Sequence, residues 1–285
     1  MAQNGNFIGI DLGGTQARVG RVEAGELREF ASTRILASGT VEEVLNQIYA
    51  LIDGLAASDI EAIGVGVPSV VDVDQGIVYD VQNIPAWKEV RLKSLLEEKY
   101  AVPVHVNNDA NCFALGEKHF GKGRGHHSII GLIIGTGFGA GIIVNDRLYS
   151  GANCGAGEFG MMPYLDSVYE HYCSGQFFTL HKGQTGEQLY KQAVDGDTQA
   201  LQIFAEYGDH LGSGIKAILC AYDPEIIILG GSVRKAYDLF EEAMWASIQS
   251  FVYPKSAQGL SIELSQLDDI AILGAAALCY ERDNI

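Results

Sequence analysis

Asp11 lies near the end of the apolar run 7–12, which is followed at once by Gly13, Gly14 and Thr15. Glycines there let the backbone turn tightly and bring its N–H groups against a phosphate, with the Thr15 hydroxyl as a further donor. A carboxylate leaving a buried strand beside such a turn suits Mg2+ held through water, because that hard ion prefers few carboxylates and several waters. A plain hairpin turn accounts for the same glycines. The device recurs at Gly135, Thr136, Gly137, Phe138 and Gly139. Neither copy is a Walker loop, since no Gly-Lys-Ser/Thr follows, and neither is a Rossmann fingerprint, since the glycines lead into a strand. Two hairpins clasping one polyphosphate is the reading that remains. Gly230, Gly231 and Ser232 follow the strand-like run 225–229, either as a backbone seat for a nucleotide or as an ordinary strand-to-helix turn. Asn107, Asn108 and Asp109 close a β-branched run, where a carboxylate can accept a hydroxyl proton. Asn108 or Asp109 could equally cap the helix that follows, and the two roles are compatible.

These residues need strands that end together. Residues 6–35 read as strand, glycine turn, strand, turn, strand, and residues 128–151 repeat that order about 120 residues later, which points to a duplicated architecture. Residues 41–53 carry apolar side chains at helical spacing, 62–68 read as a strand, 71–81 as a hairpin, and 91–109 as helix, proline turn and strand. The region 186–223 is helical, 225–231 is one more buried strand, and a short helix follows a final strand at the C-terminus. Residues 128–144 are largely apolar, yet glycine recurs at every second position from 135 to 141, so a buried hairpin is expected there and not a membrane span. No low-complexity linker divides the halves, and a shared hinge and cleft are expected.

Composition narrows the partners. The 285 residues carry a net charge of −17, which opposes nucleic acid or an anionic membrane while leaving one small anionic ligand open to local amides and a metal ion. With 47% apolar and 19% charged residues the chain is globular, not disordered. Cys112, Cys154, Cys173, Cys220 and Cys279 lack any Cys-x-x-Cys spacing, so a disulfide framework is not indicated and a reducing cytoplasm is expected. The start lacks the basic flank of a signal peptide, and no DNA-binding domain is expected before the first strand. Glycine, at 35 residues, is roughly 15 above the usual ~7%. The excess is assigned here to Gly9, Gly13, Gly14 and Gly20, to the second turn, to the glycines around Glu158, and to Gly230 and Gly231, all read as places where backbone approaches a ligand.

The segments IGIDLGGTQARVG, GVPSVVD, NIPAW, VNNDANCFALGE, IGTGFGAGII, GANCGAGEFG, YEHYCSG and DPEIIILGGSV occur in that order. Together they resemble the glucokinase-type ROK sugar kinases of the actin, Hsp70 and hexokinase superfamily, over essentially the whole chain. The resemblance implies an α/β fold of two actin-like (ribonuclease H-like) domains, with mixed sheets flanked by helices and an interdomain cleft. Residues 1–110 joined by a C-terminal helix 273–285 would form one domain, and 111–272 the other. It makes Asp109 the general base on a sugar hydroxyl, with Asn83, Asn108, Glu158 and Glu170 binding the sugar. Asp11, Gly13, Gly14, Thr15, Gly135, Thr136, Gly137, Gly230, Gly231 and Ser232 would hold ATP, with Mg2+ reached from Asp11 through water. Trp87 reads as packing. A cytoplasmic homodimer is the family expectation.

The chain departs from the family in two places. Members often carry histidine three residues after the first sugar glutamate, joined to a cysteine loop that holds zinc; here the position is Met161 and residues 163–169 contain no cysteine, so zinc is not expected. His171 and Cys173 then read as packing or surface residues. Met161 cannot donate a hydrogen bond, which weakens polar discrimination of the sugar there. Gln16 stands where lysine is common, leaving Mg2+ and backbone amides as the expected charge on the phosphates. The reading is phosphoryl transfer from ATP to a hexose, glucose at the 6-hydroxyl. The alternatives are N-acetylmannosamine, fructose, allose or a glucoside as acceptor, or a non-catalytic sugar sensor acting through a protein partner.

Overall fold

The computed structural model describes residues 5–55, 59–81 and 83–280. Strands β1 (Asn6–Leu12), β2 (Gln16–Glu23) and β3 (Glu26–Arg34) form the expected meander, and α1 (Val41–Leu55) crosses to β4 (Ala62–Val67). Thr40 starts α1 with a capping box: its hydroxyl accepts from the Glu43 N–H at 3.2 Å, and the Glu43 carboxylate accepts from the Thr40 N–H at 2.8 Å. A small sheet follows, made of β5 (Val70–Asp72), β6 (Ile77–Tyr79) and β7 (Glu89–Val90). Helix α2 (Leu92–Tyr100) stops at Ala101 in the left-handed region, and β8 (Val104–Asn108) runs straight into α3 (Asp109–His119).

The second half repeats the plan with β9 (Ile129–Ile134), β10 (Phe138–Val144) and β11 (Arg147–Leu148). A hairpin of β12 (Pro163–Tyr164) and β13 (Ser167–Val168) leads into α4 (Tyr169–Cys173), α5 (Gln176–Lys182), α6 (Gly186–Val194) and the long α7 (Thr198–Tyr222). Strand β14 (Ile226–Gly230), helices α8 (Tyr237–Gln249) and α9 (Pro254–Gly259), β15 (Ser261–Leu264) and α10 (Ile270–Ala277) complete the described chain. Residues 281–285 of the expected C-terminal helix lie outside the described residues.

The two five-stranded sheets have orders β3-β2-β1-β4-β8 and β11-β10-β9-β14-β15, one topology used twice. By compactness, one unit comprises Met1–Gly125, Gly141–Ala156 and Gln266–Ile285, and the other His126–Ala140 and Gly157–Ser265.

In the first unit the strand period of two sorts the side chains. Ile8, Ile10 and Leu12 pack with Ile63, Val65 and Val67 against α1 and α2, around a fully buried Trp87. The opposite face shows Phe7, Gly9 and Asp11 on β1, opposite Val22, Gly20 and Arg18 on β2. Helix α10 lies on that face almost without side chains between. A Cβ on Gly9 would stand 2.2 Å from the Ile272 carbonyl oxygen, and one on Gly64 would stand 1.8 Å from that of Ala275. This corrects the ligand reading of Gly9 and Gly20, whose missing side chains seat a helix. Gly141 and Gly157 likewise meet the backbone oxygens of Ala110 and Ala140, at 2.3 and 2.0 Å from an added Cβ. Much of the glycine excess is packing at backbone contact distance.

Candidate functional site

In the first unit β1, β4 and β8 run parallel, so their carboxyl ends share one edge of the sheet. Asp11 pairs in register with Gly66, and Gly66 with Asn107, which puts Asp11 and Asn107 about 10 Å apart, two strand spacings. Asp109 follows as the first residue of α3. Asn108 caps that helix, its Oδ1 accepting from the Ala110 N–H at 2.9 Å, while its Nδ2 donates to the Ser69 carbonyl at 3.3 Å. The corner beneath is pinned by the buried Asn107, whose Oδ1 accepts from the Asn108 N–H at 2.8 Å, Asn111 Nδ2 at 2.9 Å and the Cys154 thiol at 3.2 Å. The buried Cys112 thiol lies under Gly66, its pKa pushed up by burial and then by the Asp109 and Asp11 carboxylates. Both carboxylates therefore act on one region of the edge.

The first glycine turn is closed by a bond from the Gly13 N–H to the Gln16 carbonyl at 2.9 Å. Asn83 is exposed and reaches the turn, since a Cβ on Gly14 would stand 2.1 Å from its Nδ2. Arg18, which the sequence reading did not single out, stands at the same edge. Its Nε and Nη2 donate to Asp11 Oδ2 at 2.9 and 2.7 Å, and its Nη1 lies 3.9 Å from Asp269 Oδ1. The guanidinium thus stands beside the first glycine turn, where the sequence reading looked for positive charge only from Mg2+ and backbone amides. A tight hairpin centred on 14–15 places residues 11 and 18 opposite each other, so counting back across the turn was the signal available.

In the second unit, the turn after β9 and the segment Gly230–Ser232 after β14 again share a carboxyl edge, as β9 and β14 are parallel. Gly231 has φ +79°, and an added Cβ would stand 2.2 Å from the Ile134 carbonyl oxygen, so both conformation and close approach require glycine. Gly135 is open toward Ser232, whose Oγ lies 3.9 Å from the position of an added Cβ. Glu158 precedes the 3-10 turn Phe159–Met161, and its carboxyl is raised above the ordinary range by burial and then by the Glu170 carboxylate. Glu170, on α4, accepts from the Phe138 N–H at 3.0 Å and from Gln176 Nε2 at 3.0 Å. The two sugar glutamates of the sequence reading are thus neighbours, and one of them also touches the second glycine turn. Met161 is 51% exposed at the end of the 3-10 turn.

Where the resemblance would put a zinc loop, the β12–β13 hairpin is held by side chains. Tyr164 stacks on Tyr169 with ring centres 4.3 Å apart, and its hydroxyl lies 3.1 Å from His210 Nδ1. His171 Nδ1 is hydrogen-bonded with Ser167 Oγ at 2.6 Å, and the buried Cys173 thiol donates to the His210 carbonyl at 3.2 Å.

The family model described as ROK family matches residues 7–282. The chain belongs to the ROK family. It is 31% identical to the glucokinase of Thermotoga maritima over 97% of this chain and 98% of that one. It is also 31% identical to the xylose repressor of Bacillus spizizenii, over 85% of this chain and 67% of the repressor. Among solved structures, a ROK family glucokinase from Streptomyces griseus in complex with glucose and AMPPNP superposes with a TM-score of 0.78 at 28% identity, covering 96% of this chain and 99% of that one. As a ROK protein the chain thus has both enzyme and repressor relatives, and its own residues must carry the distinction. No helix among the described residues is long and apolar enough to cross a membrane.

Proposed function

We propose that this ROK protein is an ATP-dependent hexose kinase that transfers the γ-phosphoryl group to the 6-hydroxyl of glucose. The observation that carries the reading is the first unit's carboxyl edge, where a fixed carboxylate, Asp109, shares one sheet edge with a glycine turn and Asp11. Phosphoryl transfer asks little covalent chemistry of a protein and depends on positioning and charge. Asp109 Oδ1 accepts from the adjacent Ala110 N–H at 2.9 Å, which orients the carboxylate at the helix start, where it takes the proton of the acceptor hydroxyl. Asn108 is anchored through both ends of its amide and offers its remaining N–H to the sugar. Glu158 and Glu170 accept hydrogen bonds from ring hydroxyls. The amides of the two glycine turns bind phosphate oxygens, and Gly230–Ser232 seats the adenosine.

The donor set at Asp11 fits Mg2+ held through water. Arg18 occupies Oδ2 and leaves Oδ1 for a water of a hydrated ion, and the ion would place positive charge on the phosphates. A homodimer in the cytoplasm remains the family-based expectation.

The test is sugar-dependent ADP release over a panel of glucose, N-acetylmannosamine, fructose, allose and alkyl glucosides. Turnover on glucose with Asp109→Asn at least about a hundredfold slower, and sugar binding kept within a few-fold, is expected. The exposed Met161 makes an acceptor with an apolar substituent the second reading, visible as faster turnover on the acetylated or alkylated sugars. Binding of sugar without ADP release anywhere in the panel identifies a sensor and refutes the kinase.

A further inference from the structure

The second glycine turn is held from behind, and the holding group also holds a sugar residue. At the junction of α4 and α5, the Gly175 N–H donates to the Gly135 carbonyl at 2.7 Å. The Thr136 carbonyl accepts twice, from the buried Ser174 hydroxyl at 3.0 Å and from Gln176 Nε2 at 3.1 Å. The turn's own bond, from the Gly135 N–H to the Gly137 carbonyl at 3.1 Å, takes the third carbonyl. In a planar trans peptide the C=O and N–H point opposite ways. Tying the Gly135 and Thr136 carbonyls to the α4–α5 junction therefore turns the N–H groups of Thr136 and Gly137 away from it, the orientation a phosphate seat requires.

Gln176 does two things with one nitrogen. Its Nε2 donates to the Thr136 carbonyl and also to Glu170 Oε1 at 3.0 Å. Both partners are pure acceptors, so the amide has one orientation that satisfies them, with nitrogen and not oxygen toward the pair. Glu170 in turn grips the turn from its other side, with Oε2 on the Phe138 N–H at 3.0 Å, and an added Cβ at Gly137 would come within 2.9 Å of that oxygen. Both carboxylate oxygens of Glu170 are thus shared between sugar duty and the phosphate turn. A sugar hydroxyl donating to Glu170 draws on the oxygens that hold Phe138 and Gln176, and any shift of the carboxylate moves the Thr136 peptide with it.

We propose that Gln176 is a positioning residue that couples sugar binding at Glu170 to the geometry of the Gly135–Gly137 phosphate turn, so that sugar and nucleotide bind cooperatively. The inference rests on the kinase reading of Glu170 and of the turn. It assigns Gln176 no contact with either ligand. The coupling passes through one side-chain amide and is reciprocal: whatever factor glucose adds to nucleotide affinity, nucleotide adds to glucose affinity.

The test is a binding cycle by calorimetry, with glucose and a non-hydrolysable ATP analogue, each titrated with and without the other. The parent should show a coupling factor of about 5- to 150-fold. Gln176→Leu, close in size and without the donor, should keep each separate affinity within about 5-fold while the coupling factor falls to about 2 or less. Ser174→Ala supplies the contrast. It removes a hydroxyl whose one proton is shared between the Thr136 carbonyl and, at 2.7 Å, the Glu170 main-chain carbonyl, without touching the Glu170 carboxylate, so nucleotide affinity should fall by about the same factor with and without glucose. A merely structural role for Gln176 would lower both affinities together and leave their ratio intact, and that result overturns the proposal. Turnover in the parent with no coupling overturns it as well, while the kinase reading stands. If no sugar in the panel supports turnover, the kinase reading fails first and takes this inference with it.

Discussion

The Arg18–Asp11 pair makes a prediction whose sign depends on metal. Asp11 lies two residues before Gly13, which along an extended strand is about 7 Å. A unit charge 7 Å from a phosphate charge interacts by about 0.6 kcal/mol at the dielectric of water and about 2.4 kcal/mol at an effective value near 20, equivalent to roughly 3- to 60-fold in affinity. Arg18 and Asp11 sit between those limits, with side chains 29% and 15% exposed. With magnesium chelated, Asp11→Asn removes a repulsion and frees the guanidinium, so ATP should bind tighter by a factor in that range. Arg18→Met removes the cation and leaves an unpaired carboxylate, so ATP should bind weaker by a similar factor. With excess Mg2+ the effect of Asp11→Asn should reverse, because the carboxylate then holds the waters of the ion. Calorimetric titration of ATP in chelator and in excess Mg2+ reads all four values, with melting curves to confirm that each variant folds. If the two variants shift affinity in the same direction in chelator, Arg18 is a scaffold for Asp11 and the charge argument is wrong.

The raised carboxyl of Glu158 sets a pH dependence. Sugar affinity should fall as pH drops through that raised value, earlier than for an ordinary glutamate, and Glu158→Gln should bind sugar more weakly with the step gone from the titration curve. The linked stability has the opposite sign: a raised carboxyl favours the fold below the unfolded value and loses that advantage as pH rises through the folded one, so Glu158→Gln should melt slightly higher than the parent at neutral pH. Gly64→Ala would place a methyl 1.8 Å from the Ala275 carbonyl oxygen, against a backbone that cannot rotate away, and should cost about 3 kcal/mol or more in chemical denaturation. Gly54→Ala, late in α1 with nothing within 4 Å of the new methyl, should instead stabilise by about 0.5–1 kcal/mol.

Much of the fold was legible because its signals are local. A strand period with glycine at a turn marks β1–β2 and β9–β10, and helical spacing of Val44, Leu45, Ile48 and Ile52 marks α1. Motif order singled out Asp109, Glu158 and Glu170 as the candidate carboxylates. Arg18 was within reach, since a tight turn fixes its pairing with Asp11. Gln176 was not. Nothing in the segment around it tells that its amide meets the Thr136 carbonyl forty residues away.

The sequence by itself determined the kinds of element, the two glycine turns, the carboxylates and membership in a family. The tertiary structure decided what the glycines are for and which groups share a partner. Gly9 and Gly64 are recognisable as glycines in strands, but only the docking of α10 shows that helix backbone fills the missing Cβ positions. Glu170 is recognisable as a motif glutamate, but only the packing of α4 against the turn after β9 puts its carboxylate on the Phe138 N–H. The physical reason is common to both. Periodicity and turn chemistry act over a few residues, whereas contacts at van der Waals range depend on which helix lands on which strand, and the whole chain must fold before that is fixed.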